Sequence, residues 1–212
     1  MTDRERETEV ARYVTKIQEV FGTGAATPET SHYPALTELL NAVGATLSPR
    51  RFVVSQLANR GAGFPDYGVF AEGEAAGTPP STVLEMKPFG DPTLQTAASP
   101  QVTRYADAYG AVLVSNYHQF LLVAKDEHGE PRVEQLYSLA GSPDLLLDAD
   151  PGRLARDRAS GLFAYLSLAL SRTATIRSGA VLATVLASHA RECSRPSGEH
   201  PGVGSLAAAG HA

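Results

Sequence analysis

The sequence predicts an α/β fold with a mixed central sheet between helices, roughly three layers deep, and extra helices toward the C-terminus. Three observations predict it. Apolar residues recur at three- and four-residue spacing in two stretches near the N-terminus. A series of short apolar runs follows, bounded by Gly and Pro and interrupted by one helical stretch placed as a crossover. Helical patterning then returns from Pro151. A hydrophobic content of 43% is enough for a real core in a chain of 212 residues.

The elements follow in order. Residues 3–21 read as a helix because Val10, Val14, Ile17 and Phe21 share one face with charges between them. Gly22 and Gly24 end it. Thr30 or Ser31 is placed to cap a second helix with Pro34 near its start. Leu36, Leu39, Leu40 and Val43 are its apolar positions, and Gly44 closes it. Residues 52–57, 67–70 and 82–86 read as strands, the last ended by Pro88, Gly90 and Pro92. Ser99 and Pro100 open the crossover helix, SPQVTRYADAYG. Residues 111–115 are continuously apolar, as a central strand requires. Residues 120–124 and 132–137 are strands joined by polar turns. From Pro151, the residues Leu154, Leu162, Phe163, Leu166 and Leu170 mark a helix, and residues 176–186 a further one. The expected organisation is a core domain over 1–145, a helical extension over 146–192 and a flexible tail or linker over 193–212, beginning at Cys193.

Composition excludes several classes. With 18 basic and 23 acidic residues the net charge is -5, and no basic arm is present. Whole-chain charge therefore cannot hold a nucleic acid, although a local positive patch could. One cysteine forms neither an internal disulfide nor a cysteine-cluster metal site. Six histidines without ligand spacing make no zinc site. The N-terminus is charged and lacks a signal core, and no run approaches about 18 apolar residues. The expectation is a cytoplasmic chain with no membrane span. There is no P-loop, no serine elbow and no Cys–His signal. DEHGE lacks calcium-loop spacing and reads as a solvated turn.

The chemistry lies in the centre. Glu85 and Lys87 stand two apart on a predicted strand, so both leave one face together with Val83. Leu84 and Met86 point the other way. Asp66 lies in a turn before the preceding strand, and an antiparallel return would set it beside Glu85. Two adjacent carboxylates repel unless a hard cation sits between them. Mg²⁺ suits such oxygen donors, and the Met86 carbonyl could add another. A lysine at that place can position a water or neutralise charge developing on phosphorus.

FPDYGVF followed by VLEMK resembles the PD-(D/E)xK nuclease superfamily. The resemblance implies a restriction-endonuclease-like core in which Asp66 and Glu85 hold Mg²⁺, with Mn²⁺ able to substitute, and Lys87 takes part in phosphodiester hydrolysis. Glu29 resembles the acid that some members carry near their first core helix. Gln101 and Tyr105 resemble the Q-x-x-x-Y element of the branch that includes Mrr-type restriction nucleases. ETSHYPALTELL, the G-x-P-D turn, this helix and SNYHQFLLV together look like the N-terminal nuclease domain of fused restriction-modification enzymes, over roughly residues 29–139. In those, a DNA methyltransferase and target-recognition region follow. No methyltransferase motif is present here, so the chain reads as a domain cut from a larger protein or a stand-alone relative.

Each signal has a plainer alternative. E-x-K pairs line many solvated sheet faces, and Pro-Asp is ordinary turn chemistry. Glu29 could simply face a helix dipole, and Tyr33 could simply pack on the sheet. His32 and His118 read as exposed turn residues. Arg50, Arg51, Arg60 and Arg104 could contact phosphates or be surface charges. Gly61 and Gly63 could admit a DNA backbone or serve a tight turn. It is the order of the five parts that predicts a Mg²⁺-dependent DNA endonuclease, with paired sites in a homodimer for double-strand cleavage. The alternative is an inactive nuclease-fold domain that binds nucleic acid or a protein.

Overall fold

A computed structural model describes residues 1–27, 29–59, 61–74 and 77–172. The helix predicted over 176–186, the tail from Cys193, and Arg60 lie outside the described residues.

Helix α1 (Asp3–Gly22) starts on a reciprocal cap. The Thr2 hydroxyl accepts from the Glu5 N–H, and the Glu5 carboxylate accepts from the Thr2 N–H. Val10, Tyr13, Val14 and Ile17 are buried along one stripe. Phe21, expected to continue the stripe, is 47% exposed instead. The last turn of α1 overruns the core, and the ring leans on Phe89 at 5.6 Å between centroids.

A single 3-10 turn (Thr30–His32) leads into helix α2 (Tyr33–Gly44). Neither Thr30 nor Ser31 caps α2, contrary to expectation: His32 occupies the cap position with no side-chain bond. The Ser31 hydroxyl accepts from the Thr27 N–H instead, and the Thr27 and Thr30 hydroxyls bond each other. The hydroxyls tie down the incoming loop rather than the helix. Leu36, Leu39, Leu40 and Val43 are buried as the spacing predicts. Gly44 lets α2 touch the first strand, because a Cβ there would stand 2.2 Å from the Arg51 carbonyl oxygen.

The sheet has six strands in sequence order: β1 (Arg51–Ser55), β2 (Tyr67–Ala71), β3 (Thr82–Met86), β4 (Ala111–Ser115), β5 (Gln119–Lys125) and β6 (Pro131–Ser138). Neighbours are antiparallel except β3 and β4, which are parallel. A parallel pair needs a crossover. It consists of α3 (Thr93–Ala97) and α4 (Pro100–Tyr109). Ser99 caps α4 as predicted, its hydroxyl accepting from the Val102 N–H. Helix α3 was not anticipated; five residues are too few to show a period. The same holds for α5 (Pro143–Leu147). Helix α6 (Pro151–Leu170) completes the described chain.

Strand parity separates two cores. On one face, Val102, Tyr105 and Ala106 of α4 pack on Val83, Val112, Val114, Leu121 and Val123. On the other, α1, α2 and α6 pack on Leu84, Met86, Leu113, Phe120 and Leu122. Each such buried Leu, Val or Phe contributes about 1.5–3 kcal/mol relative to exposure. The result is an α/β fold of three layers, helices on both faces of a mixed sheet. His32 and His118, expected to be exposed, are buried around Phe89, at 6.2 and 5.8 Å between ring centroids. Burial holds both imidazoles below their ordinary pKa, so both are neutral at pH 7.

Candidate functional site

Asp66 sits one residue before β2, and the pairing of Tyr67 with Leu84 sets it across from Glu85. Its backbone is held from both sides. The Asp66 N–H donates to the Leu84 carbonyl at 3.1 Å, and the Asp66 carbonyl accepts from the Gln56 N–H at 2.6 Å. Asp66 Oδ2 accepts from the Met86 N–H at 2.7 Å. The predicted antiparallel return is therefore present, and it turns the carboxylate toward β3.

The loop before Asp66 is shaped by glycine. Asn59 Oδ1 accepts from the N–H groups of Gly61 and Gly63 at 2.7 and 3.2 Å, which is turn chemistry. Gly63 has φ of 122°, and a Cβ there would lie 3.2 Å from the Tyr105 hydroxyl. The loop thus passes directly over Tyr105.

Glu85 and Lys87 share a face, as the spacing predicts. The Glu85 side chain is only 4% exposed, against 27% for Lys87. Lys87 Nζ donates to Glu85 Oε1 at 2.7 Å. The Lys87 N–H donates to the Ser115 carbonyl at 2.9 Å, so the strand register holds one residue beyond β3. Gln101 Nε2 donates to Glu85 Oε2 and to the Tyr105 hydroxyl, both at 3.1 Å. Gln101 and Tyr105 stand on successive turns of α4, which explains why both reach the sheet. Gln101 holds Glu85 directly, Tyr105 does so through Gln101, and both reach Lys87 only through Glu85. The Met86 side chain is fully buried on the opposite face, leaving only its backbone beside Asp66.

Glu29 comes close from the 3-10 turn. Its side chain makes no cap bond. Glu29 Oε1 stands 3.4 Å from the Tyr33 hydroxyl, which donates to Asp66 Oδ1 at 2.6 Å. Sequence reasoning left Tyr33 as a packing residue. It does pack on Tyr67, at 5.1 Å, but its hydroxyl belongs to the site. No linear pattern marks it, since its partner Asp66 is brought by the sheet.

The electrostatics follow from burial and crowding. Burial raises the Glu85 pKa; the Lys87 hydrogen bond opposes this, and the Asp66 charge adds to it. Glu29 is raised by burial and then by Asp66. Burial pulls Lys87 down, but the hydrogen bond and charge of Glu85, joined by Glu29 and Asp66, hold it above its ordinary value. Lys87 is therefore charged at neutral pH. Tyr33 is raised far above the ordinary range by burial and by Asp66, so it remains a proton donor.

The donor set is made of hard oxygens: the carboxylates of Asp66 and Glu85, opposite in strand register, with Glu29 beyond Tyr33. Among the described residues, no group of three or more His, Cys, Asp or Glu side chains is arranged to hold a metal ion. Two carboxylates completed by carbonyl and water oxygens match the modest protein-ligand count that Mg²⁺ accepts. Among the arginines, Arg51 is 8% exposed and faces Glu74 at 3.9 Å, so it is not open to a phosphate. Arg50 and Arg104 are exposed.

No protein-family profile matches the chain, and no curated protein matches it. The architecture is that of a restriction-endonuclease-like three-layer core. A solved structure of this fold is the cryo-EM structure of a DrdV–DNA complex, with a TM-score of 0.53. The two share 13% sequence identity over 79% of this chain and 99% of the other. At that identity the likeness establishes the fold. Among the described residues, no helix is long and apolar enough to cross a membrane.

Proposed function

We propose that this chain is a Mg²⁺-dependent DNA endonuclease domain of the PD-(D/E)xK type, acting in restriction of foreign DNA. The observation that carries the reading is one constellation: Asp66 opposite Glu85, Lys87 paired to Glu85 at 2.7 Å, and Gln101 closing the second Glu85 oxygen. Asp66 and Glu85 would hold the ion, with the Met86 carbonyl as a further oxygen donor and Glu29 kept back at the Tyr33 hydroxyl, 3.4 Å away. Such an ion supplies Lewis-acid polarisation of a phosphoryl oxygen and a more acidic water. Lys87, charged and part-exposed, faces the charge that develops on the phosphoryl oxygens. Gln101 fixes the Glu85 carboxylate, and Tyr105 anchors Gln101. In the reaction the water oxygen bonds to phosphorus and the bond to one sugar oxygen breaks. That oxygen leaves with a proton. DNA is the partner, with associated methyltransferase and target-recognition domains supplying specificity and a homodimer supplying two cuts.

A second reading has its own observations: a nuclease-fold domain that binds DNA or a protein without cutting. Both oxygens of Asp66 and both of Glu85 already accept hydrogen bonds from the protein, and no third side-chain ligand completes a metal cluster among the described residues. The DrdV–DNA complex supports DNA binding under either reading. DNA binding, common to both readings, has the broader support, while the intact lysine and acid pair is what the binding reading leaves without a role and the endonuclease reading explains.

One experiment separates them. Supercoiled plasmid is incubated with the purified chain and Mg²⁺ or Mn²⁺, beside Lys87→Ala, and binding is followed by gel shift. The endonuclease reading expects nicked or linear product from the parent and none from the variant. DNA binding by both proteins without product would establish the binding reading instead.

A further inference from the structure

We infer that Tyr33 is a positioning residue of the site: it locks the Asp66 carboxylate and couples it to Glu29. This rests on the proposed cation-binding role of Asp66.

A carboxylate held at one oxygen still turns about its Cβ–Cγ bond. Asp66 is held at both. Oδ2 takes the Met86 N–H from β3 at 2.7 Å, and Oδ1 takes the Tyr33 hydroxyl from α2 at 2.6 Å. Two donors on different elements fix the plane of the group. Each oxygen keeps a second lone pair for a cation.

Tyr33 is itself held. Its carbonyl accepts from the Tyr67 hydroxyl at 3.0 Å and from the Thr37 hydroxyl at 2.8 Å. The Thr37 hydroxyl also reaches the Tyr67 hydroxyl, at 3.2 Å. The ring is 8% exposed. Its one hydroxyl proton goes to Asp66. The same hydroxyl stands 3.4 Å from Glu29 Oε1, a longer second contact that ties the two acids to one group. Glu29 is anchored from behind, since the Tyr117 hydroxyl donates to its carbonyl and the Tyr13 hydroxyl donates to the Tyr117 carbonyl at 2.6 Å. A hydrogen-bonded line thus runs from α1 through the β4–β5 turn to the acid. Partners that orient a ligating carboxylate typically govern about 10–100-fold in metal affinity.

The test is calorimetric titration of the full chain with Mn²⁺ for the parent, Tyr33→Phe, Asp66→Asn and Tyr137→Phe. The last variant removes a hydroxyl that donates to the Arg158 carbonyl at 2.9 Å, away from the acids. It controls for the loss of one tyrosine hydrogen bond. Asp66→Asn should abolish binding, Tyr33→Phe should weaken it about 10–100-fold, and Tyr137→Phe should leave it unchanged. Binding through Asp66 with equal affinity in the parent and Tyr33→Phe overturns the inference alone. So does equal weakening in Tyr33→Phe and Tyr137→Phe. A parent that binds no Mn²⁺ overturns the cation-site reading and this inference with it. If circular dichroism shows Tyr33→Phe unfolded, Tyr67→Phe replaces it, because it loosens Tyr33 without touching Asp66. Weaker Mn²⁺ binding is again expected, and unchanged affinity again overturns the inference.

Discussion

Glu85 is held by two different side chains. It is buried, charged and tied at both oxygens, so each partner can be removed separately. Gln101→Ala leaves Oε2 without its donor. A hydrogen bond to a charged group contributes about 1.5–3 kcal/mol, so urea unfolding should show a loss of about 2 kcal/mol. Lys87→Ala should reduce any plasmid cleavage about 100–1000-fold, the usual consequence of losing one group that stabilises transition-state charge. The pH dependence has a definite sign. Glu29 and Glu85 have raised pKa values in the folded chain, so the folded state binds more protons than the unfolded one above the ordinary 4.5. Stability is gained as pH falls from neutral toward that value, and lost as pH rises through the raised values. Buried His32 and His118, held below their ordinary pKa, act in the opposite sense as pH falls through 6.5, so the carboxylate share is read by difference in the metal-free chain in EDTA. Glu29→Gln should raise the melting temperature at pH 7, and its gain over the parent should shrink as pH falls. A gain that does not shrink would contradict this account. The meeting of Asp66, Glu85, Lys87, Gln101 and Tyr105 was legible because each belongs to a short linear pattern on or beside one element. The Tyr33–Asp66 hydrogen bond was not, because its partners stand 33 positions apart.

At the scale of elements, the register of β2 on β3 makes the site, and the loop before it depends on Gly63. Gly63→Ala places a side chain at φ of 122° and within 3.2 Å of Tyr105. Such strained positions cost about 1–3 kcal/mol, and displacement of Tyr105 should also release Gln101. The expected outcome is a stability loss of that size together with weaker cleavage. Gly44→Ala tests a different contact. Its Cβ would meet the Arg51 carbonyl at 2.2 Å, so α2 and β1 must separate. Overpacking of this kind costs about 3 kcal/mol at the upper end of its usual range. Denaturant unfolding would check both. Strands and long helices were legible from period and turn residues. The short helices α3 and α5 were not, because five residues show no period. The α2 cap was misread because the hydroxyls of Thr30 and Ser31 had a nearer use in the loop.

For the molecule as a whole, the proposed cation site would link binding to folding. If Asp66 and Glu85 hold a divalent ion only when β2 and β3 are paired, the ion stabilises the fold by mass action. At about 100 times the dissociation constant this amounts to about 2.7 kcal/mol. Thermal unfolding should rise with Mn²⁺ in the parent and stay flat in Asp66→Asn; equal rises in both would remove Asp66 from the cation site. By itself the sequence determined the α/β class, the strand carrying Glu85 and Lys87, the helix carrying Gln101 and Tyr105, and the face each presents. Side-chain direction within one element is a local consequence of backbone period. Only the tertiary structure decided that Asp66 locks onto the Met86 N–H, that Tyr33 closes its other oxygen, that Arg51 is spent on Glu74, and that His32 and His118 lie inside. Those outcomes depend on which elements pack together, and packing is set by the whole core at once rather than by any one stretch of chain.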